Sequence, residues 1–168
     1  MALPTDLKDF ALFAEGNFIG DCTMTRAPKA VRKVEEWIGG GMAGPVEIAD
    51  HLEKLDCEFE TRGFTLAAFE QFGIRELGGV GLRFVGAHQQ GNDGAVVQVE
   101  HTIRGTYKEL EAGEHKRGEQ GSTKVVASVT IWTLTVDGRE ILHIDMLQGI
   151  ERYNGVDARA EVRSALGI

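Results

Sequence analysis

The chain has 168 residues, of which 42% are hydrophobic, so its length suits one domain with a substantial apolar core. Its 26 acidic and 18 basic side chains give a formal net charge of −8, which argues against a surface for duplex nucleic acid, because such a surface needs Lys and Arg against the phosphates. The sequence has no C-x-x-C motif, no signal-peptide pattern and no run of about 20 apolar residues. We therefore expect no metal site, no disulfide framework and no membrane anchor, and synthesis in the cytoplasm.

The first fifty residues contain a predicted hairpin and an unusual glycine-rich stretch. FALFAEGNFIG predicts two strands that turn at Glu15-Gly16-Asn17. The stretch EEWIGGGMAGPVEIAD, residues 35–50, includes the spacing G-x-G-x-x-G at Gly39, Gly41 and Gly44. A dinucleotide-binding loop of that form needs a buried strand before it and a helix after it, within a βαβ unit.

The surroundings of this stretch disfavour a nucleotide site. The preceding segment VRKVEEW is charged, and no βαβ pattern appears elsewhere in the chain. No Gly-Lys-Ser/Thr follows, which also excludes a phosphate-binding P-loop. One local alternative stays open, a helix that begins at Pro45. Its apolar stripe would consist of Val46, Ala49, Leu52 and Leu55.

Alternation with a period of two dominates the rest of the chain and predicts half-buried strands at residues 54–62, 80–88 and 97–108. The apolar faces of the first and third strands carry Leu55, Cys57, Phe59, Val97, Val99, Ile103 and Tyr107. The opposite, polar faces carry Asp56, Glu58, Glu60 and Arg62 on one strand and Gln98, Glu100, Thr102 and Arg104 on the other.

The C-terminal half predicts a hairpin after a long polar loop at about 111–123. Asp137-Gly138 lies between two β-rich runs and is typical of a type I′ turn. The alternation slips near Ile131, which indicates either a bulge there or a strand covered on both faces. Two short helices are expected, one after Thr65 and one after Asp157. The predicted fold class is mainly β, an antiparallel β-sandwich or barrel with a short mid-chain helix and a C-terminal helix.

The sequence has no pattern that calls for a catalytic centre. The five histidines form no H-x-H or H-x-x-x-H pair, and no G-x-S-x-G elbow is present. His101 lies on the apolar face of a predicted strand, where a hydrogen-bonded core histidine is the expected role. We therefore expect no enzyme, no catalytic residue and no cofactor, and the long loops suggest contacts with other subunits.

Taken in order along nearly the whole chain, these segments resemble the major tail tube protein of contractile-tailed, P2-like phages, a family that also forms the tubes of R-type bacteriocins. The segments that carry the resemblance are Ala27-Pro28-Lys29, Lys33-Val34-Glu35-Glu36-Trp37, Gly39-Gly40-Gly41-Met42, Gly44-Pro45-Val46-Glu47-Ile48, Leu52-Glu53-Lys54-Leu55, Arg104-Gly105, Lys108-Glu109, Gly113-Glu114, Lys116, Gly118-Glu119, Leu134-Thr135-Val136-Asp137-Gly138, Ile144-Asp145, Asn154-Gly155-Val156-Asp157 and Ala165-Leu166-Gly167-Ile168.

The resemblance implies a single tail tube domain over residues 1–168. In that family six copies join their sheets into a ring with a continuous inner β-barrel, and the rings stack into a tube inside a contractile sheath. Residues 35–50 are then an extended arm that contacts a neighbouring subunit or ring. Its predicted contact residues are Trp37, Gly39, Gly40, Gly41, Met42, Gly44, Pro45, Val46 and Ile48. The polar faces of the two alternating strands, residues 56–62 and 98–104, are the candidate lining of the lumen.

The same resemblance implies the partners. They are further copies of the chain, a tail sheath protein, a tape measure protein, baseplate or terminator proteins, and DNA that passes through the lumen of a phage without sequence-specific binding. The protein would be made in the cytoplasm of a bacterial host and assembled into a virion tail or a released bacteriocin particle. The alternatives are a ring protein of a bacterial secretion machine and a β-barrel that binds a small ligand or acts as an enzyme.

Overall fold

A computed structural model describes residues 5–19, 22–91, 93–114 and 116–168 of the chain. In these ranges the protein is mainly β, with two seven-residue helices. The strands are β1 (Thr5–Ala14), β2 (Asn17–Ile19), β3 (Cys22–Arg26), β4 (Arg32–Trp37), β5 (Val46–Leu52), β6 (Leu55–Arg62), β7 (Val80–Gln90), β8 (Val96–Glu111), β9 (Ser122–Val136), β10 (Arg139–Asp145), β11 (Ile150–Tyr153) and β12 (Val156–Asp157). The helices are α1 (Leu66–Phe72) and α2 (Ala160–Leu166).

Ten of these strands form one antiparallel sheet that divides into two layers along its longest strands, β8 and β9. The first half of β9 pairs with β6, from Leu55↔Val129 to Arg62↔Ser122, whereas its second half pairs with β10. We call the order β3–β6–β9–β8, through residues 122–129 of β9 and 105–111 of β8, the short layer. The long layer is β12–β11–β10–β9–β8–β7–β1–β2, through the other halves of the same two strands.

The two layers meet at an irregularity in the β8–β9 ladder. Arg104 pairs with Ile131 but Gly105 pairs with Val129, so Thr130 is an extra residue on β9. The buried positions of β9 accordingly change from Val125, Ala127 and Val129 to Trp132. Of the two alternatives given for the slip near Ile131, the structure has the bulge, and this bulge bends the sheet where one layer becomes the other.

The core lies between the two layers. Phe59 on β6 is fully buried, with its ring centroid 6.2 Å from that of Phe84 on β7 and 5.9 Å from that of Tyr107 on β8. Helix α1 contributes the buried Ala68, and the Tyr107 hydroxyl donates to Gln71 Oε1 at 2.8 Å. The alternating apolar faces of the sequence thus face each other across the fold, as period-two strands require.

Most of the predicted elements are present, and two details differ. β1 and β2 turn through Glu15, and Asp137-Gly138 has φ values of 47° and 77°, as a type I′ turn needs. The alternative helix from Pro45 is wrong, because residues 46–52 form β5. The C-terminal helix begins at Ala160, after Asp157 has ended β12.

Candidate assembly surfaces

β4 and β5 form a hairpin of their own, which we call the arm (residues 32–52). All six residues of β4 are exposed, and in β5 only Leu52 is buried. Trp37 pairs with Val46, and Ile48 lies two residues further along β5, so these three side chains share one face. They are 53%, 46% and 53% exposed, which is unusual for large apolar residues that share a face.

The glycines lie at the tip of the arm. The Gly39 amide donates to Met42 Sδ at 3.0 Å, and a Cβ added to Gly39 would lie 2.9 Å from the Trp37 ring. Glycine at position 39 therefore lets the indole fold over the tip. Gly41 has a φ of 84°, in the left-handed region that favours glycine. The tip is thus shaped by glycines within a β-hairpin, and its contact with another subunit stays a prediction.

The first predicted polar face lies on the outside of the short layer. Asp56, Glu58 and Glu60 are half-buried on β6, and Arg62 is exposed. Glu58 forms an ion pair with Lys124 at 2.8 Å and a second with Arg26 at 3.3 Å. Lys124 lowers the pKa of the Glu58 carboxyl. The Glu58 carboxylate of this face is therefore held by ion pairs with neighbouring strands.

The second predicted polar face lies on the outside of the long layer. Gln98, Thr102 and Arg104 are exposed on β8, and Glu100 is half-buried between them. Glu100 forms an ion pair with Arg83 of β7 at 3.0 Å. Because the two layers pack core face against core face, their outer faces point away from each other. The structure therefore does not bring the two predicted sets together, and the lumen position of either set stays a prediction.

Strand pairing adds cations to the short-layer face, two of them from outside the two alternating segments and a third, Lys108, from the end of segment 97–108. Lys108 Nζ lies 2.6 Å from Asp56 Oδ2, while Arg26 and Lys124 flank Glu58. The two predicted faces together contain four acidic residues and two arginines. With the cations from β3, β8 and β9 included, the short-layer face is close to charge-balanced.

Both edges of the short layer have backbone that pairs on one side only. In the described part of the chain β3 pairs with β6 alone. The β7–β8 ladder ends at Val80↔Gly105, so residues 106–111 of β8 pair with β9 alone. Such edges are templates for pairing with another chain.

The long layer exposes apolar side chains on its outer face. Phe18 is 63% exposed and Val96 is 61% exposed. Both line an open groove of about 440 Å³ with Ala11, Val85 and Ala87. By contrast, no large exposed hydrophobic residue lies on β3, β6 or β9 in the described ranges.

An ion pair and a backbone hydrogen bond to Asp157 attach the C-terminal helix to β12. Arg163 Nη2 lies 2.5 Å from Asp157 Oδ2, and Asp157 Oδ1 accepts from the Arg159 amide at 2.9 Å. Val162 and Leu166, the predicted apolar stripe, are 48% and 67% exposed, so this stripe does not pack on the subunit's own sheet.

Nothing in the described ranges gathers metal ligands, since no group of three or more His, Cys, Asp or Glu side chains converges there. His101 is half-buried, stacks on Trp132 and accepts from its Nε1 at 3.2 Å, as expected of a hydrogen-bonded core histidine. No helix in these ranges is both long and apolar enough to cross a bilayer.

Comparison with known sequences identifies the family. Residues 4–167 match the family described as Phage tail tube protein FII. The chain belongs to this family. The tail tube protein of Escherichia phage P2 is 34% identical to it over 172 aligned positions, which cover 100% of both chains. The major tail tube protein of Serratia phage KSP20 is 32% identical and covers 100% of this chain and 99% of its own.

Solved structures of contractile injection systems have the same fold as this tail tube family member. A chain of the PVC sheath-tube complex in the extended state has a TM-score of 0.59 at 10% identity, covering 79% of this chain and 91% of its own. A chain of the anti-feeding prophage tube-terminating cap has a TM-score of 0.57 at 11% identity, covering 75% and 87%. The predicted family and the mainly β fold are confirmed.

Sequence reasoning missed several residues on the surfaces of this tail tube protein. Arg32 and Glu151 form a hydrogen-bonded pair at the base of the arm, 119 positions apart in the chain. Arg26 and Lys124 are likewise placed beside Glu58 by strand pairing between distant segments. No local pattern marks these residues.

Proposed function

We propose that the chain is the self-assembling subunit of the inner tube of a contractile tail, with six copies in each ring and stacked rings forming a conduit for DNA or ions. The observation that carries this proposal is the short layer, a four-stranded sheet with open backbone at both edges. Pairing of β3 in one copy with residues 106–111 of β8 in the next would continue the sheet around a ring. The full-length match to tail tube proteins supports the same assembly.

Of the two predicted polar faces, the short-layer face suits a lumen better. It carries Asp56, Glu58, Glu60 and Arg62 without any large exposed hydrophobic residue, so it can be wetted at little cost. Its compensated charges leave few free cations to hold phosphates, which favours passage over binding. The long-layer face, with Gln98, Glu100, Thr102, Arg104 and its apolar groove, then faces outward.

The other surfaces fit contacts that a stacked tube needs. Trp37, Val46 and Ile48 on the arm would anchor on a neighbouring ring, and the C-terminal helix would contact a neighbouring copy through Val162 and Leu166. The outward face would meet the tail sheath protein. A tape measure protein and terminator or baseplate proteins would act at the tube's interior and ends. The solved neighbours include a sheath-tube complex and a tube terminator, which supports partners of these kinds.

The first test is the assembly itself. Purified protein should form rods with a central channel in negative-stain micrographs. A protein that stays monomeric at high concentration, with rods absent across salt and pH, would contradict the proposal. Bound small molecules recovered with such a monomer would favour the ligand-binding alternative.

The lumen assignment has a separate test, based on thiol labelling of Glu60→Cys and Thr102→Cys. Both are made in a Cys22→Ala background, while Cys57 stays in place because burial raises the pKa of its thiol to about 12. In tubes, Glu60→Cys should react with a small reagent and be shielded from one too large to enter the bore. Thr102→Cys should react with both reagents. The reverse pattern would assign the lumen to the long layer.

A further inference from the structure

In the described residues, the arm joins the body of the subunit at its base, which we call the joint. Its two strands end where Arg32 pairs with Leu52, and Leu52 is the one arm residue that joins the core in the described structure. Just below it, the Glu53 amide donates to Val31 O at 2.8 Å. Since the rest of both strands is exposed, the few contacts at this base must set the direction of the whole hairpin.

The polar half of the joint centres on Glu151 of β11, which is 4% exposed. Arg32 Nη2 donates to Glu151 Oε2 at 2.7 Å and to the Tyr153 hydroxyl at 3.1 Å. The Tyr153 hydroxyl in turn donates to Glu151 Oε2 at 3.2 Å, and the guanidinium carbon of Arg32 lies 5.9 Å from the Tyr153 ring centroid. The hydrogen bond to Glu151 raises the pKa of Arg32. Glu151 Oε2 therefore accepts two hydrogen bonds, one of them from a charged donor. Such a buried, charge-assisted hydrogen bond forms only over a narrow range of geometries.

The same carboxylate also faces the C-terminal segment. Glu151 Oε1 lies 3.7 Å from Arg159 Nη1, and the Glu151 carbonyl accepts from the Ala158 amide at 2.8 Å. Arg159 is the residue immediately before α2. One side chain therefore lies between the two most exposed elements of the subunit, the arm and the C-terminal helix.

We propose that Glu151 is a positioning residue that fixes the angle between the arm and the body, by holding Arg32 on one carboxylate oxygen and Arg159 on the other. Loss of either cation leaves a buried carboxylate short of partners, and this penalty makes departures from the observed angle unfavourable. The positioning role concerns the single subunit. Its consequence, that correct ring stacking needs Glu151, rests on the tube function proposed above.

The chain supplies a matched control in Arg152 and Glu140. Arg152 Nε lies 2.8 Å from Glu140 Oε1, and the pair belongs to the same β10–β11 ladder. Its side chains are 36% and 34% exposed, however, and neither lies at the arm. Glu140→Gln therefore removes an ion pair of similar length beside the joint without touching it.

The test measures the arm's orientation directly. Spin labels are placed at the arm tip by Ala43→Cys and on the outer face of the long layer by Thr102→Cys, in the Cys22→Ala background. Labelled copies are diluted into unlabelled protein of the same variant, so double electron–electron resonance reports the distance within one subunit. The parent should give one narrow distribution. Glu151→Gln and Arg32→Met should each broaden it about twofold or more, because the buried charge pair is lost, and Glu140→Gln should leave it unchanged.

An unchanged distribution in both Glu151→Gln and Arg32→Met would overturn the proposal, as would equal broadening by Glu140→Gln. If Glu151→Gln fails to fold, Arg32→Met carries the decision, since the Arg32 side chain is 40% exposed and lies outside the hydrophobic core. Negative-stain micrographs of the same samples separate the two claims. If a variant has a broadened distance distribution but forms normal tubes, the positioning role is supported and the role of Glu151 in stacking is overturned. If the parent protein forms no tubes, only the proposed function is contradicted.

Discussion

Strand β6 and the arm both take part in antiparallel pairing and both carry large apolar side chains, but β6 buries these side chains and the arm exposes them. β6 buries Leu55, Cys57 and Phe59 against the opposite layer. The arm leaves Trp37, Val46 and Ile48 open to solvent, although they share a face as a core stripe would. Burial of apolar surface is the main favourable term in folding, so the arm contributes little to the stability of the single subunit. Its apolar face is available for a contact made between subunits.

The two layers therefore provide the folding energy of the subunit, and the arm provides a surface for association. Changes in the layers should alter the free energy of unfolding, and changes in the arm should alter assembly while the subunit keeps its stability. Four experiments test this division of roles.

The largest effect is expected from Phe59→Ala. Phe59 is fully buried, with its ring beside Phe84 of β7 and Tyr107 of β8. Removing a buried phenyl ring costs about 3–5 kcal/mol through lost transfer energy and the remaining cavity. Urea denaturation followed by tryptophan fluorescence measures this loss. A cost under about 1 kcal/mol would mean that the layers are not the folding unit.

Trp37→Ala tests the arm in the same way. We expect the free energy of unfolding of the subunit to change by about 0.5 kcal/mol or less, because the indole is 53% exposed. Assembly should weaken by about 2 kcal/mol or more, as for a central aromatic in an interface. Sedimentation, which separates tubes from free subunits, measures this loss of assembly. Normal assembly together with a marked loss of subunit stability would reverse the roles given to the arm and the layers.

Two glycines provide a finer contrast. A Cβ at Gly105 would overlap the Ser128 carbonyl oxygen at the bend between the layers, whereas a Cβ at Gly40 would meet nothing within 4 Å. Gly105→Ala should cost about 1–3 kcal/mol, since two backbones must move apart. Gly40→Ala should leave stability almost unchanged. Thermal melts of the two variants side by side measure the difference, and equal melting temperatures would show that the bend tolerates a side chain.

The smallest effect concerns acid and the C-terminal helix. Arg163 lowers the pKa of Asp157 from 3.8 to about 2 in the folded protein. A depressed folded-state pKa contributes stability above the unfolded pKa, and this contribution is lost as the pH falls from about 4 through about 2. Asp157→Asn should therefore reduce helix stability at pH 6 and flatten its acid dependence in that window. Circular dichroism during acid titration measures both, and a variant with the parent's acid profile would show that Asp157 does not hold the helix.

Much of the fold could be predicted because its signals are local. Alternation at residues 54–62 and 97–108 identified which side chains share a face, and Asp137-Gly138 located a hairpin through its positive φ values. Where local signals compete, prediction was weaker. The spacing of Val46, Ala49, Leu52 and Leu55 fits a helix, but pairing of β5 with β4 made it a strand. Asp157 suits a helix N-cap, but it completes β12 instead, and the N-cap of the helix that begins at Ala160 is Arg159. The Asp157 carboxylate only accepts from the Arg159 amide ahead of that helix.

Period, turn residues and motif order are properties of neighbouring positions, so the mainly β class, the two faces of each alternating strand, the position of the Gly-rich tip and the family follow from the sequence alone. The arrangement of those faces in space depends on the whole fold. The extra residue at Thr130 bends the sheet, so that Glu58 and Glu100 point away from each other although both occupy polar faces. Pairing between distant strands put Lys124 beside Glu58, and packing of the arm's base against β11 put Arg32 on Glu151. Such contacts depend on the register and bending of the whole sheet, which no short stretch of sequence contains.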